Sequence, residues 1–164
     1  MIQEKQTIQQ NLSLRPAELA DETFLETAYA ETRRGELAGL NWSREQENNF
    51  FKMQFQMQKQ AYRMQFPDAD YYVVEFDKNL IGRLILWQDE KEIRLVDVAL
   101  LAEFRNRGIG KILLERLKVE ATFDKPLNLR VLKTNPAAKR FYERLGLSVV
   151  EDADLHFSMQ WRKS

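Results

Sequence analysis

The positions of apolar residues along the chain predict a mixed α/β protein. Runs of aliphatic and aromatic residues predict strands, and apolar residues at helical spacing predict helices. The predicted strands cover residues 12–15, 71–76, 80–87, 93–101, 127–131, 149–150 and 155–161. The predicted helices cover residues 21–34, a long segment that follows Ser43, 109–123 and 136–145. A hairpin followed by strand-helix-strand-helix and closing strands predicts an α/β or α+β sheet with helices on its faces.

The longest predicted helix begins at a capping signal. Ser43 is followed three residues later by Gln46, which is the pattern of a capping box. Interleaved Phe and Met residues then predict an ordinary packed helix rather than a glutamine-rich tract of low complexity. We expect its apolar side to consist of Phe50, Met53, Met57 and Tyr62, widened by Phe51, Phe55 and Met64.

The length of the chain predicts one domain. A chain of 164 residues suits one domain with a sizeable core, and neither a linker nor an internal repeat divides the sequence. We therefore expect a single domain over residues 1–164, in which the polar residues 1–10 form a loose extension. No apolar run approaches the ~20 residues of a membrane span, and the N-terminus lacks the apolar core of a signal peptide, so a cytoplasmic protein without membrane attachment is expected.

Charge and cysteine content exclude several kinds of function. The 25 Lys and Arg residues balance the 25 Asp and Glu residues, so the chain has no general attraction to nucleic acid or acidic lipid. Without cysteine there is no disulfide, thiolate nucleophile or Cys-based metal site, and the sole histidine, His156, excludes a multi-His metal site. Any basic site must therefore be local.

Such a local basic site lies between a predicted strand and a predicted helix. The segment from Phe104 to Lys111 reads Phe-Arg-Asn-Arg-Gly-Ile-Gly-Lys, with two glycines and three cationic side chains. The first amides of a helix lack intrahelical partners and carry partial positive charge, and glycine lets a phosphate approach the backbone. Two arginines at a helix start add donors that suit phosphate. The segment therefore predicts a site for a phosphate-bearing cofactor, and the alternative is a tight connection with incidental charges.

Two common nucleotide motifs are excluded for this segment. Ile112 follows Gly110 and Lys111, so the Ser or Thr that binds magnesium in a P-loop is absent, and the glycine spacing does not fit a dinucleotide fingerprint. The pattern Arg105-x-x-Gly108-x-Gly110 instead resembles the R/Q-x-x-G-x-G/A signature of the GNAT superfamily of N-acetyltransferases. The resemblance extends from about residue 12 to residue 161.

The resemblance implies a fold and a cofactor. The GNAT acyl-CoA N-acyltransferase fold has a central, mostly antiparallel sheet with a parallel pair at the cofactor cleft, flanked by helices. The cofactor is acetyl-coenzyme A, and the backbone of the preceding strand, here Val98 and Leu100, is expected to bind its pantetheine arm. The residues implied for binding the pyrophosphate are Arg105 and the amides of Arg107, Gly108, Ile109, Gly110 and Lys111.

A second segment carries the same resemblance. Residues 135–147 resemble the family's N-x-x-A-x-x-x-Y-x-x-x-G-F pattern, with Leu147 in place of the usual Phe. The resemblance implies that Asn135 contacts the cofactor arm and that Tyr142 donates a proton to the departing thiolate. A phenol, with a reference pKa of about 10, is protonated at neutral pH and able to donate. Taken alone, Tyr142 would be interpreted as a core aromatic residue.

The implied reaction is direct attack of a primary amine on the thioester, which needs no enzyme nucleophile. A carboxylate, or a water held by one, would accept the proton of the amine, since an alkylammonium has a pKa of about 10.4. The candidates for this base are Asp97, a charge inside an apolar strand, and Glu92, which is also consistent with a solvated strand end. The alternative for Asp97 is an ion pair with a nearby Arg or a cap on a bulge.

The acceptor amine is not identified by the sequence. We expect the acceptor groove to involve residues of the first helices and the hairpins, namely Glu36, Trp42, Tyr71, Tyr72, Trp87 and His156. Trp42 is equally explained by packing on the following helix, and a lone His by partial burial.

The leading hypothesis is an N-acetyltransferase acting on a small amine or on a peptide or protein amine. The alternatives are a non-catalytic acyl-CoA-binding sensor or interaction module on the same fold, and an unrelated phosphate-binding domain. GNAT proteins are often homodimers, but the sequence does not fix the assembly.

Overall fold

The structure, a computed structural model, describes residues 2–164. Its helices are α1 (Ile2–Asn11), α2 (Glu22–Arg33), α3 (Arg44–Gln65), α4 (Ile109–Glu120) and α5 (Pro136–Arg144). Its strands are β1 (Leu12–Pro16), β2 (Asp70–Phe76), β3 (Asn79–Gln88), β4 (Ile93–Leu100), β5 (Leu127–Leu132), β6 (Ser148–Asp152) and β7 (His156–Trp161). Short 3₁₀ turns occupy Leu19–Asp21, Arg34–Leu37 and Ala102–Phe104.

Within residues 2–164, seven strands form one sheet in the order β1-β2-β3-β4-β5-β7-β6. Strands β4 and β5 are parallel, whereas β1 and β2, β5 and β7, and β6 and β7 pair antiparallel. This arrangement confirms the predicted mixed sheet with a parallel pair and flanking helices. Among the described residues, every helix is too short or too polar to cross a bilayer.

The predicted elements are present, with their ends shifted by a few residues. One further element, α1, has no counterpart in the sequence prediction. It forms a helix over Ile2–Asn11, where we expected a loose extension, and it lies beside β1 and β2. Its residues are mostly polar, so the segment lacks the apolar spacing from which a helix is predicted.

Helix α3 confirms the predicted capping box but not the predicted apolar face. The Ser43 hydroxyl accepts from the Gln46 amide, and the Gln46 side chain accepts from the Ser43 amide at 2.8 Å. Phe51 and Phe55 are the buried residues of the helix. The predicted face was wrong for its methionines, which are exposed: Met53, Met57 and Met64. The two phenylalanines lie one turn apart and bury more apolar surface than methionines on the neighbouring stripe, so they determine which side of α3 faces the core.

The chain forms two compact units, and the first comprises residues 2–85 and 98–109. Its core contains Phe51 and Phe55 of α3 with Tyr29 of α2, whose ring lies 6.5 Å and 5.6 Å from theirs, centroid to centroid. Arg34, after α2, forms an ion pair with Glu47 of α3 at 2.7 Å. Aromatic packing and this ion pair hold the α2–α3 hairpin together.

The second unit comprises residues 86–97 and 110–164. One face of its sheet is apolar and buried, and α4 adds further buried leucines; these residues are Ile93, Leu95, Leu127, Leu129, Met159, Leu113, Leu114 and Leu117. On the opposite face the cross-strand neighbours Arg94, Asn128 and Gln160 are polar. This alternation is typical of a sheet covered by helices on one face. In β6 a register shift between Val149 and Glu151 places one extra residue opposite β7.

Candidate functional site

The connection between β4 and α4 contains two residues in the left-handed region of backbone conformation. Asn106 has φ +57° and Gly108 has φ +82°. Asn and Gly are the residues that adopt this conformation at least cost, so the sequence permits the turn locally. Left-handed residues that alternate with others in a turn are typical of concave sets of amides that bind anions.

Helix α4 begins directly after this turn, at Ile109, whose side chain is buried. The first amides of α4 have no intrahelical partners, and the helix dipole places partial positive charge on them. A Cβ built at Gly108 would meet nothing within 4 Å, so the turn is open at this position. The cationic residues Arg105, Arg107 and Lys111 are exposed around the turn. This set of donors suits a polyphosphate such as that of coenzyme A.

Both arginines of the turn are held by contacts within the first unit. The Arg105 Nε donates to the Leu100 carbonyl at 2.9 Å, which uses one of the five N–H donors of its guanidinium. The Arg107 Cζ lies 5.6 Å from the ring centroid of Phe76 and 5.4 Å from that of Phe104.

Strand β4 extends beyond the residues that pair with β5. The parallel pairing runs from Ile93 with Leu127 to Leu95 with Leu129, and β4 continues to Leu100. The Leu101 amide donates to the Ile81 carbonyl of β3 at 2.8 Å. Since successive residues of a strand direct their backbone groups to opposite sides, Val98 and Leu100 direct theirs away from β3. These are the positions for which the family resemblance implies backbone contacts to a pantetheine arm.

Tyr142 lies in the last turn of α5, where a glycine fixes the backbone. Gly146 has φ +86°, and its amide donates to the Glu143 carbonyl at 2.9 Å. The Leu147 amide donates to the Tyr142 carbonyl at 3.1 Å. These two bonds constitute a Schellman motif, in which Gly146 ends the helix. The motif holds the backbone of Tyr142 at a defined position.

The Tyr142 phenol is protonated over the whole neutral range. Burial, followed by the negative charge of Asp97, raises the pKa of Tyr142 from 10.0 to about 12. Asp97 is half-buried on β4, in the same unit. The structure therefore brings the two predicted catalytic groups within electrostatic reach of each other.

The start of α4 also contacts α5. A Cβ built at Gly110 would lie 3.3 Å from the Phe141 ring, and that ring is 5.3 Å from the ring of Tyr142, centroid to centroid. A side chain at position 110 would therefore press on the helix that carries Tyr142. The second glycine of the predicted phosphate motif thus has a packing role of its own.

A buried lysine supports the end of α5. Lys118 of α4 donates from Nζ to the carbonyl of Leu145, the C-cap residue of α5, and to Glu115 at 2.9 Å. Its ammonium also lies 5.3 Å from the centroid of the Trp161 ring. A positive charge at a helix C-terminus is favourable, so Lys118 stabilises the turn that contains Tyr142.

Asn135 is exposed and is the N-cap of α5. Its Oδ1 accepts from the Ala138 amide at 3.1 Å, so this side chain begins the helix. The cap occupies the side-chain oxygen and leaves the amide nitrogen as a donor. The contact to the cofactor arm that the resemblance implies for Asn135 stays a prediction.

Glu92, the second candidate base, belongs to a polar network. Arg94 donates to both of its carboxylate oxygens, and Asn128 donates to it at 2.5 Å. Gln160 in turn donates to Asn128 at 2.9 Å. This network joins β4, β5 and β7 on the polar face of the sheet, which gives Glu92 a structural role.

The residues suggested for the acceptor groove have varied surroundings. The Trp42 ring packs edge-on against Phe50 of α3 at 5.3 Å between centroids, which favours its packing alternative. The Tyr71 hydroxyl is buried without a hydrogen-bond partner, and burial raises the pKa of Tyr71, opposed by the charges of Arg63 and Arg83. Glu36 is exposed and His156 half-buried.

Within the described residues, no group of three or more His, Asp or Glu side chains is arranged to hold a metal ion.

Sequence reasoning missed three residues: Phe76 and Phe104, which contact Arg107, and Lys118, which contacts the end of α5. Phe76 lies far from Arg107 in sequence, so no motif connects them. Phe104 is the first residue of the glycine segment, but the sequence alone does not indicate a function for it. A lysine among the leucines of α4 is the one signal that was available, because lysine is rarely buried unless it is paired.

The family comparison identifies the class of protein. Residues 28–147 match the model of the acetyltransferase (GNAT) family. The chain therefore belongs to the GNAT family of acetyltransferases, as the two motifs indicated. It is an acetyltransferase, and the cofactor of the family is acetyl-coenzyme A. A comparison with curated proteins finds no match.

Solved structures share the fold at low sequence identity. The PaiA N-acetyltransferase from Thermoplasma acidophilum, in complex with coenzyme A, is 22% identical with a TM-score of 0.69, covering 93% of this chain and 99% of that chain. An acetyltransferase from Thermus thermophilus is 18% identical with a TM-score of 0.66, covering 92% and 96%. Arabidopsis thaliana Naa50, in complex with the bisubstrate analogue CoA-Ac-MVNAL, is 12% identical with a TM-score of 0.57, covering 93% and 99%.

Proposed function

We propose that this acetyltransferase transfers the acetyl group of acetyl-coenzyme A to a primary amine by direct attack of the amine. The observation that carries the proposal is the pair formed by Tyr142 and Asp97. Burial and the charge of Asp97 raise the pKa of the Tyr142 phenol to about 12, so a proton donor and a carboxylate act on each other within one unit. A hydrogen-bond donor for the leaving sulfur and an acceptor for the amine proton are the two groups that this transfer uses.

In this proposal the cofactor is bound by backbone and arginine donors. The amides of residues 107–111 hold the diphosphate, with Arg105 and Arg107 as cationic partners. Support comes from the left-handed Gly108, the open space at that residue and the start of α4 at Ile109. Val98 and Leu100 bind the pantetheine arm through their backbone, and Asn135 contacts the same arm.

When bound, acetyl-coenzyme A supplies a thioester whose carbonyl carbon accepts the amine nitrogen, so that the amide bond forms as the C–S bond breaks. Tyr142 donates a hydrogen bond to the charge that develops on the leaving sulfur. A thiol has a reference pKa of about 8.5, well below that of Tyr142, so this phenol stabilises the leaving group chiefly as a hydrogen-bond donor. A positioned group of this kind contributes roughly 10²-fold to turnover.

Asp97 is the proposed acceptor of the amine proton, directly or through a water. It is half-buried at the point where β4 has lost its pairing with β5. Its charge acts on the phenol of Tyr142, so it lies near the other proposed catalytic group. Glu92 belongs to the network with Arg94 and Asn128. We therefore assign the base role to Asp97 and a supporting role to Glu92.

The acceptor is a small amine or the amine of a peptide or protein. Solved relatives include an N-acetyltransferase bound to coenzyme A and another bound to an analogue that contains the peptide sequence MVNAL. A panel of small amines, amino acids and peptides with free N-termini, with free-thiol release as the readout, tests the proposal. We expect release that depends on the amine. Coenzyme A binding without release for any amine would favour a non-catalytic acyl-CoA-binding module.

A further inference from the structure

Two aromatic rings lie under the guanidinium of Arg107, and both belong to the same unit as the arginine. Phe76 ends β2, and Phe104 ends the 3₁₀ turn after β4. Their ring centroids are 6.2 Å apart at an interplanar angle of 64°, and both rings are half-buried. The Arg107 Cζ lies 5.6 Å and 5.4 Å from the two centroids, within the range of cation–π attraction.

This environment differs from that of the arginines with structural roles. Arg15, Arg34 and Arg94 each donate to carboxylates. Within residues 2–164, Arg107 forms no ion pair with a carboxylate, and its side chain is exposed. Cation–π attraction acts on the charge and uses none of the N–H donors, so the rings hold the guanidinium and leave its donors available.

We propose that Phe76 and Phe104 are positioning residues, which hold Arg107 ready to bind a phosphate group of coenzyme A. The inference rests on the proposed function, in which this turn binds the cofactor. An exposed arginine loses rotamer freedom when it binds, and a side chain restricted beforehand loses less. The rings therefore raise cofactor affinity without touching the cofactor.

A double-mutant cycle isolates this effect. Coenzyme A binding is measured by calorimetry for the wild type, Arg107→Ala, Phe104→Leu and the double variant. We expect Arg107→Ala to weaken binding by about tenfold or more, since hydrogen bonds to charged groups are lost. Phe104→Leu should weaken it about two- to fivefold, the range of an exposed cation–π contact. The double variant should bind like Arg107→Ala alone.

Two further variants separate positioning from a general structural effect. Phe104→Tyr keeps an aromatic face and should restore wild-type affinity. Phe123→Leu is the matched control, because the Arg162 Cζ lies 5.6 Å from the Phe123 ring centroid in the other unit, and it should leave affinity unchanged. In steady-state assays with saturating amine, Phe104→Leu should raise KM for acetyl-coenzyme A and leave kcat unchanged. Phe76→Leu should behave like Phe104→Leu.

The same assays with dephospho-coenzyme A identify the phosphate. If Arg107→Ala weakens coenzyme A but not dephospho-coenzyme A, the ligand is the 3′-phosphate; if it weakens both equally, the ligand is the diphosphate. Phe104→Leu weakening binding as much in the Arg107→Ala background as in the wild type would overturn the positioning role. Failure of the proposed function has a different signature, because neither Arg107→Ala nor Gly108→Ala would then change coenzyme A affinity.

Discussion

The hydroxyl of Tyr142 lies within the field of the Asp97 carboxylate. Burial of the phenol is the larger cause of its raised pKa, about 12, and the charge of Asp97 adds to it. The carbonyl of Tyr142 meanwhile accepts from the amides of Leu145 and Leu147, each at 3.1 Å. The surroundings of the ring thus set the pKa of the proposed donor, and the hydrogen bonds at the end of α5 fix the position of its backbone.

Removing the Tyr142 hydroxyl should affect turnover and leave cofactor binding unchanged. We expect Tyr142→Phe to lower kcat by roughly 10²-fold, because the leaving sulfur loses its hydrogen-bond donor. Affinity for acetyl-coenzyme A should stay within a factor of two, roughly, because the ring and its packing remain. Free-thiol release and calorimetry measure the two quantities. Wild-type turnover in this variant would remove Tyr142 from the reaction.

The raised pKa of Tyr142 predicts a loss of stability in alkali. The folded state binds the phenolic proton more tightly than the unfolded state, with pKa values of about 12 and 10.0 respectively. The contribution is therefore complete below pH 10 and is lost as the pH rises through 12. A shift of this size corresponds to at most about 3 kcal/mol.

Denaturant unfolding of the wild type and Tyr142→Phe between pH 9 and about pH 12 measures this loss. Every other titrating group is common to both proteins, so the difference between their two curves isolates Tyr142. We expect the free energy of unfolding to fall more steeply for the wild type. Parallel curves would contradict the assignment of a raised pKa to this residue.

The two candidate bases should respond differently to neutralisation. Asp97→Asn should lower kcat by roughly 10²-fold and lower the pKa of Tyr142, which ultraviolet titration of the phenol detects. Glu92→Gln should preserve kcat and reduce the free energy of unfolding by about 1–3 kcal/mol, because Arg94 loses its charged partner. A loss of activity confined to Glu92→Gln would reverse the assignment.

Lys118 should contribute to stability far more than a surface lysine does. Lys118→Met leaves the Leu145 carbonyl and the Glu115 carboxylate without their donor, and we expect a loss of about 2 kcal/mol in thermal or denaturant unfolding. Lys125 is the matched control, because its exposed Nζ donates to Gln88 at 2.9 Å. Lys125→Met should change stability by about 0.5 kcal/mol at most. Equal effects of the two substitutions would show that Lys118 does not anchor α5.

Gly146 should be sensitive to alanine because of its backbone conformation. At φ +86°, Gly146→Ala should cost about 1–2 kcal/mol and reduce turnover through displacement of Tyr142. Gly35 offers the comparison, since its φ is outside the left-handed region and a Cβ there meets nothing within 4 Å. Gly35→Ala should leave stability within about 1 kcal/mol of the wild type or raise it. Normal turnover in a destabilised Gly146→Ala variant would show that the end of α5 does not position Tyr142 for catalysis.

Local signals explain why most elements were predictable from the sequence. The capping box at Ser43 and Gln46, the glycine after α5 and the alternation along β5 each act over a few residues. The GNAT motifs are equally local, so the sequence alone is enough to recognise the family.

Relations between distant segments were not predictable in this way. The stripe of α3 that faces the core depends on Tyr29 of another helix, and periodicity alone admitted the methionine stripe beside it. Glu92 has the sequence surroundings of a solvated strand end, and the Asn128 that donates to it comes from a neighbouring strand distant in sequence. The Phe76–Arg107 contact likewise joins residues that no sequence motif connects.

The bulge in β6 affects how readily this protein aggregates at high concentration. β6 is an edge of the sheet, and all of its residues are exposed. The extra residue between Val149 and Glu151 interrupts the regular ladder, and Glu151 and Asp152 add negative charge beside it. An edge strand that is interrupted and negatively charged is a poor template for pairing with a strand of another molecule. This edge of the sheet therefore resists intermolecular β-sheet formation without needing a segment to cover it.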